Sequence, residues 1–377
     1  MQDKKPLIWL IVGDKLGDNA QVDVLAETLG LPTVRKRLQF KDRWVYGKPR
    51  FKASLYHIDQ AHSERLEPPW PDLVITIGRR PAMAALWVKR QSGGRTKIVL
   101  FGRPKRYLNE FDLVIAAGQY HMPNRPNVLK LDLPLMRADP GAVTRATREW
   151  QDRLANMPRP LTAVLVGGAT KPFRLEPEDA RELIRQVRVV TGDAGSLYVS
   201  TSRRTSAAAA DALEEALPVN SRFYRWTPGS PASANPYLAL LGSADHFVVT
   251  GDSISMMVEA ARIGKPVLLA PLPFQSRLPW LQWMRLSRKI ADGLRCSRFA
   301  THVGKLAWSR DYYSFYDRLC AWPHINLLEE GLPKRKNQVS LRDSAEIAAA
   351  AVGDLLSLNR GDGRVRADYR IETADCD

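Results

Sequence analysis

His246-Phe247-Val248-Val249-Thr250-Gly251-Asp252-Ser253-Ile254-Ser255, continued by Met256-Met257-Val258-Glu259-Ala260-Ala261-Arg262-Ile263-Gly264-Lys265-Pro266-Val267, is the stretch that decides the fold. Its apolar opening reads as a buried strand, Gly251 to Ser255 as a tight polar turn, and Met256 onward as a helix. Asp252 or Ser253 is suited to cap that helix, because a short side-chain oxygen accepts from first-turn N–H groups. Gly264-Lys265-Pro266 ends the helix, and Val267-Leu268-Leu269-Ala270 opens another strand. A small-residue turn feeding a helix start offers unpaired N–H donors and the positive end of the helix dipole, which suits a diphosphate. The same unit also occurs in α/β proteins that bind nothing there. Glu259, about two turns in, is placed to accept from ribose hydroxyls.

Comparable apolar runs recur along the chain. In the first half they are Leu7–Val12, Leu73–Ile77, Ile98–Phe101, Leu113–Ala116 and Asn127–Leu129; in the second, Leu161–Val166, Leu197–Ser200, His246–Thr250 and Val267–Ala270. Strands this apolar are buried on both faces, as in parallel sheets covered by helices. Their alternation with helical stretches predicts an α/β fold of two Rossmann-like doubly wound domains facing across a cleft. The expected division is residues 1–145 for an acceptor-side domain, a linker over 146–160, and 161–340 for a nucleotide-side domain. A C-terminal helix over 341–358 is expected to cross back to the first domain, and 359–377 to form a polar disordered tail.

The 377 residues carry a net charge of +16, from 56 Lys and Arg against 40 Asp and Glu. That excess points to an anionic partner. No long basic tail and no aromatic-interleaved strand motif is present, so nucleic acid is not expected and phosphorylated ligands or an anionic membrane are favoured. The mixed aromatic and basic stretch 278–289 would suit a bilayer surface or an ordinary packed amphipathic helix. Cys296, Cys320 and Cys376 match no zinc spacing, and the six histidines show no ligand spacing, so no metal is expected. The apolar run near the N-terminus is too short for a membrane span and lacks a cleavage-site pattern. The expected location is cytoplasmic, with peripheral association at the inner face of the membrane.

Four loops carry candidate chemistry. The first holds Gly13, Gly17, Asp18, Asn19 and Gln21, where Asp18 reads either as a cap for a helix over 20–29 or as a general base for an acceptor hydroxyl. Its spacing is not that of a dinucleotide fingerprint. The second, Gly167-Gly168-Ala169-Thr170-Lys171, lets a phosphate approach the backbone and adds the charge of Lys171, or simply needs unusual backbone angles. The third, Ser200-Thr201-Ser202-Arg203-Arg204-Thr205, offers hydroxyls and two guanidinium forks, a phosphate clamp or a capped helix start with solvated arginines. The fourth is Gly251 to Ser255 with Glu259. Three of the four follow strands of the same half, which together favour diphosphate binding by Gly167, Gly168, Lys171, Ser202, Arg203, Arg204, Asp252, Ser253 and Ser255. Gly78-Arg79-Arg80-Pro81 either lines the acceptor side, through Arg79, or is a plain turn.

The segment Val249 to Met256 with Glu259-Ala260 and Gly264-Lys265-Pro266 resembles the ELM mitochondrial-fission family, plant and bacterial proteins related to GT-B glycosyltransferases. Ser200 to Thr205, Gly167-Gly168, Gly78-Arg79-Arg80 and Pro126-Asn127-Val128 resemble the same family. The resemblance spans roughly residues 7–355 and marks a divergent bacterial-type member. The strand-turn-helix with Glu259 is also similar to the lipid-linked N-acetylglucosamine transferase of peptidoglycan synthesis. The resemblance implies a GT-B fold, a helix N-terminus at Ser253 and Ser255 that holds a donor diphosphate, and Glu259 on the ribose. Where the family's first loop usually has Gly-His, this chain has Gly17-Asp18; where the family tends to show His-Asp after Leu113-Val114-Ile115, it has Gln119-Tyr120-His121.

The expected activity is metal-independent transfer of a sugar from a nucleotide-diphosphate sugar to an acceptor hydroxyl, on a lipid or an envelope glycan. No cofactor beyond that donor substrate is expected. Asp18 is the expected base, with His121 second. A non-catalytic membrane or protein adaptor of the fission type and a nucleotide-sugar epimerase are the alternatives. The charge predicts binding to anionic liposomes that falls as salt rises from about 0.1 M to about 1 M, where the screening length drops from about 10 Å to about 3 Å; co-sedimentation indifferent to vesicle charge would refute it.

Overall fold

The computed structural model describes residues 5–14, 16–42, 52–104, 106–120, 122–170, 172–192, 195–275, 312–333 and 344–358, with the backbone alone for 16–18, 313 and 314. The chain forms two compact units, Met1–Met136 with Leu341–Asp377, and Arg137–Ser340. Elements are numbered in order among the described residues.

The first unit is built on β1 (Ile8–Val12), β2 (Thr33–Arg37), β3 (Leu73–Ile77), β4 (Lys97–Phe101), β5 (Leu113–Ala117) and β6 (Val128–Leu131). All neighbours pair in parallel, in the order β2-β1-β3-β4-β5-β6. Successive side chains of a strand point to opposite faces. Trp9 and Ile11 therefore enter one apolar layer with Val74, Ile98 and the α2 helix (Arg79–Gln91), whose Ala82, Ala85 and Leu86 they meet. Ile8, Leu10 and Val12 enter the other, with Val22 and Leu25 of α1 (Leu16–Leu29). Ala345, Ala348 and Val352 of the last described helix, Ser344–Leu358, complete that second layer.

The second unit repeats the plan with β7 (Leu161–Leu165), α5 (Pro177–Thr191), β8 (Ser196–Ser200), α6 (Ala207–Glu215), β9 (Arg222–Tyr224), α7 (Tyr237–Ser243), β10 (His246–Thr250), α8 (Ile254–Arg262), β11 (Val267–Ala270), α9 (Tyr312–Cys320) and β12 (Ile325–Leu327). Its parallel sheet runs β12-β11-β10-β7-β8-β9. The fold is thus α/β, two Rossmann-like units. In each sheet the chain first steps one way and then returns past its starting strand. The reversal falls between β1 and β3 in the first unit, and between β7 and β10 in the second, where Val249 lies opposite Leu165. Ligands of open α/β sheets bind at the carboxyl ends of strands at such a reversal.

Three expectations need correction. Residues 146–160 are not a linker: α3 (Pro140–Glu149) and α4 (Gln151–Ala155) occupy most of the stretch. Asp139 caps α3 by accepting from Gly141 N–H, Pro140 starts it, and Trp150, Leu154 and Met157 are buried. α3 lies close against α7, where a Cβ on Gly242 would overlap Thr147 Oγ1. Secondly, α1 starts at Leu16, so neither Asp18 nor Asn19 caps a helix over 20–29. Thirdly, β2, β9 and β12 went unread because all three are edge strands with short or charged sequences, such as Thr33-Val34-Arg35-Lys36-Arg37. The expected tail over 359–377 and the stretch 278–289 lie outside the described residues.

The last described helix is labelled α10. Val352→Ala, at a fully buried position of α10, should cost about 2 kcal/mol from two lost methyl groups and the space they leave. A lower urea midpoint with unchanged slope is the expected readout; an unshifted midpoint would show that α10 adds little to this core.

Candidate functional site

At the reversal of the second sheet, β7, β8 and β10 end side by side, and the loops that follow them are tied together. Asp252, after β10, has a fully buried side chain. Its Oδ1 accepts from Thr250 Oγ1 at 2.8 Å, and its Oδ2 accepts from Thr170 Oγ1 at 3.2 Å and Arg204 Nη2 at 3.1 Å. The backbone of Gly168 also hydrogen-bonds this carboxylate. One carboxylate therefore gathers the loops after β7, β8 and β10. Ser202 and Thr205 add hydroxyl donors to the Gly167 carbonyl, and Gly167 N–H donates to Thr250 Oγ1 at 2.8 Å. Tyr316 of α9 donates to the Gly251 carbonyl at 2.7 Å.

The paired glycines have a reason that sequence reading did not supply. A Cβ on Gly167 would overlap the Asp252 carboxylate, and one on Gly168 would overlap the backbone of Arg204. The missing side chains let three loops approach one another; the space they leave is filled by protein. Gly168 and Arg204 form a parallel bridge just past the ends of β7 and β8.

α8 begins immediately beyond this knot. Ser253 occupies its cap position and is buried, yet its side chain makes no capping bond, and the first turn holds no acidic residue. Ser255 lies in that first turn, half-buried. Arg203 is exposed, while the Arg204 side chain is 36% exposed with its Nη2 turned to Asp252. Two turns into α8, Glu259 accepts from Tyr237 Oη at 2.5 Å. Burial raises the Glu259 carboxyl above its ordinary value, against the lowering effect of the Tyr237 hydrogen bond. Lys171 and His121 lie outside the described residues.

In the first unit, the reversal carries Gly13-Asp14 after β1 and Gly78-Arg79-Arg80 after β3. Asn19 Nδ2 donates to the Gly13 carbonyl at 2.8 Å and is buried; Gln21 is half-buried on α1. Gly17 and Asp18 fall in the first turn of α1. Arg80 lies over the Phe40 ring at 5.2 Å, with Asp14 at 3.8 Å, and its carbonyl is held by His57 Nε2 at 3.0 Å. His57 is fully buried and stacks on Phe40, and burial lowers its proton affinity. Burial and then the neighbouring Arg80 charge lower that of Arg79. Among the described residues no three His, Cys, Asp or Glu side chains converge as a metal would need. No described helix is long and apolar enough to cross a membrane.

Thr170, Thr250, Tyr237, Phe40 and His57 were not singled out from sequence. Thr250 had a signal, as the one hydroxyl closing an apolar strand directly before the polar turn.

The family model for mitochondrial fission ELM1 matches residues 17–310. The chain belongs to this family. Within it, the chain is 27% identical over 219 residues to the mitochondrial fission protein ELM1 of Arabidopsis thaliana, covering 52% of this chain and 51% of that protein. It thus spans about half the length of this plant ELM1. It is 25% identical over 298 residues to uncharacterized protein RP120 of Rickettsia prowazekii, covering 70% of this chain and 82% of the other. Among solved structures, the UDP-GlcNAc 2-epimerase of Methanocaldococcus jannaschii aligns with 92% of this chain and 99% of its own, at 9% identity and a TM-score of 0.49.

Two outcomes follow from the knot. Gly167→Ala should destabilise the second unit by about 2 kcal/mol, because the new methyl group forces Asp252 from its partners; a neutral urea midpoint would show the loops to be slack. Burial, the leading cause, raises the Asp252 carboxyl above its ordinary 3.8, with the Arg204 charge the largest opposing influence. A carboxyl raised in the folded state contributes stability that is present below the unfolded value and lost as pH rises through the folded one. Asp252→Asn should therefore gain stability relative to wild type as pH rises above about 4. A difference that stays constant, or turns against the variant, would mean that the pairing with Arg204 outweighs burial.

Proposed function

We propose that this chain is a GT-B-type glycosyltransferase whose second unit binds a nucleotide-diphosphate sugar. The supporting observation is the convergence of three loops at the carboxyl ends of β7, β8 and β10, with a guanidinium held beside the N-terminus of α8. Charge grows on the diphosphate as the glycosyl bond breaks, and groups fixed in advance around it lower that barrier. Arg204, Arg203, Lys171 and the first-turn N–H groups at Ser253 and Ser255 are assigned this task, with the Gly167-Gly168 backbone and Ser202 beside them. Asp252 takes a different part from the one its sequence position suggested. A buried carboxylate repels phosphate, so it serves by aiming Arg204 and holding the loops. Glu259 accepts from the ribose.

On the acceptor side, Asp18 is the proposed base, with His121 second, and Gly13, Gly17, Asn19, Gln21 and Arg79 are the proposed acceptor-side contacts. The proposed acceptor is a hydroxyl on a lipid or envelope glycan, reached from an anionic membrane surface that the net charge of +16 favours. A second reading has one specific support: the plant relative is a fission protein. In that reading the chain is a non-catalytic adaptor, and the Arg204–Asp252 pair is a finished structural bond.

A thermal-shift screen of nucleotide sugars separates the two. Ligand at a hundred times its Kd stabilises a protein by about 2.7 kcal/mol, a rise of about 5–10 °C for a unit of this size. Arg204→Ala should weaken that binding about tenfold or more. Because the variant also strands the buried Asp252 carboxylate, the double variant Arg204→Ala/Asp252→Asn is compared with it, and the ligand-dependent rise alone is read. No rise with any nucleotide sugar favours the adaptor, as does full cellular function of Glu259→Ala.

A further inference from the structure

Tyr316 carries a buried hydroxyl that the donor reading leaves without a task. Its ring sits in an aromatic row: Tyr312 lies 6.4 Å from it, and Phe173, from the loop after β7, meets Tyr312 edge-on at 4.7 Å. So held, Tyr316 Oη donates to the Gly251 carbonyl at 2.7 Å. A Cβ on Gly251 would overlap that hydroxyl, which is a reason for glycine at this place.

The bond acts on the one peptide of the turn that could otherwise rotate. Thr250 to Ser253 form a β-turn, closed by Ser253 N–H donating to the Thr250 carbonyl at 3.2 Å. Gly251 and Asp252 are its central residues, and neither has a positive φ. That pattern fits a type I turn; turning the central peptide over gives type II, in which the third residue takes a positive φ. Both forms keep the closing bond, and aspartate enters positive φ more readily than most residues. The closing bond therefore does not choose between them, and Tyr316 does. A trans peptide sets its N–H opposite to its C=O. With the Gly251 carbonyl drawn to α9, the Asp252 N–H points away from α9. Asp252 is 3% exposed, and among the described residues nothing accepts from this N–H. Backbone donors closed off from water are nearly always paired, so the geometry leaves this one for a ligand.

We propose that Tyr316 is a positioning residue for the donor diphosphate, holding the 251–252 peptide in the orientation that presents an N–H, and not a carbonyl, beside the start of α8. This rests on the donor reading above and adds to it the device that sets one of its donors. Consecutive N–H groups turned the same way make an anion-binding hollow. The same peptide turned over would set a carbonyl oxygen against phosphate oxygens, and like charges repel.

Inorganic pyrophosphate, ADP, GDP, CDP and UDP are titrated into the full chain, with affinity read by calorimetry and single backbone amides by NMR. In wild type the Asp252 amide proton should shift downfield as pyrophosphate or a nucleoside diphosphate binds. Tyr316→Phe keeps the ring and should weaken that binding about tenfold, the size of one hydrogen bond to a charged acceptor. The Asp252 response should be lost with it, while that of Ser255 is kept. Gly251→Ala, which crowds Tyr316 Oη, should reproduce the loss at Asp252. Unchanged affinity in Tyr316→Phe overturns the proposal, as does an Asp252 response that survives there, the mark of a purely structural role. A wild-type Asp252 amide that stays silent while ligand binds overturns it without any variant. In each of these cases the donor reading stands. If neither pyrophosphate nor any nucleoside diphosphate binds wild type, both fall.

Discussion

A carboxylate closed away from water at the meeting point of three strands is the constraint around which the second unit is arranged. Stripping Asp252 of solvent costs several kcal/mol, which only well-placed partners offset. Those partners come from Thr170 and the Gly168 backbone in the loop after β7, from Arg204 in the loop after β8, and from Thr250 at the end of β10. None of the loops can shift without leaving the charge uncompensated. The same requirement excludes a side chain at Gly167 and fixes where the Arg204 guanidinium points. A site that works by preset charges needs such rigidity, because groups that reorganise during a reaction give back much of what they contribute.

The central strands were legible in the sequence because parallel strands covered on both faces must be apolar throughout. Leu73–Ile77, Leu161–Leu165 and His246–Thr250 stand out for that reason. Edge strands escape the requirement. Thr33–Arg37 is half exposed and carries three cations, and Arg222–Tyr224 is only three residues long. The supposed linker over 146–160 read as polar because α3 and α4 show little of their length to the core, which a composition argument weighs too lightly.

The site was legible in its location more than in its wiring. The loops at Gly167, Ser202 and Gly251 were identified from small and hydroxylated residues at strand ends, and they do come together. Their internal bonding was not visible, since Asp252 reads equally well as a helix cap, a phosphate contact or a buried anchor until Arg204 and Thr170 are seen against it. Tyr237 was hidden for a related reason. Twenty-two positions separate it from Glu259, and a hydrogen bond at that distance leaves no periodic trace. The chain belongs to the ELM1 family and is similar to a plant and a bacterial protein.

The placement of α10 has a consequence for how the molecule is made. Its Ala345, Ala348 and Val352 finish an apolar layer begun by Ile8 and Leu10, yet more than two hundred residues of the second unit are translated between them. On the ribosome the later unit can close upon itself first, while the earlier one waits with an oily face uncovered. A nascent chain in that condition is a natural client for holding chaperones.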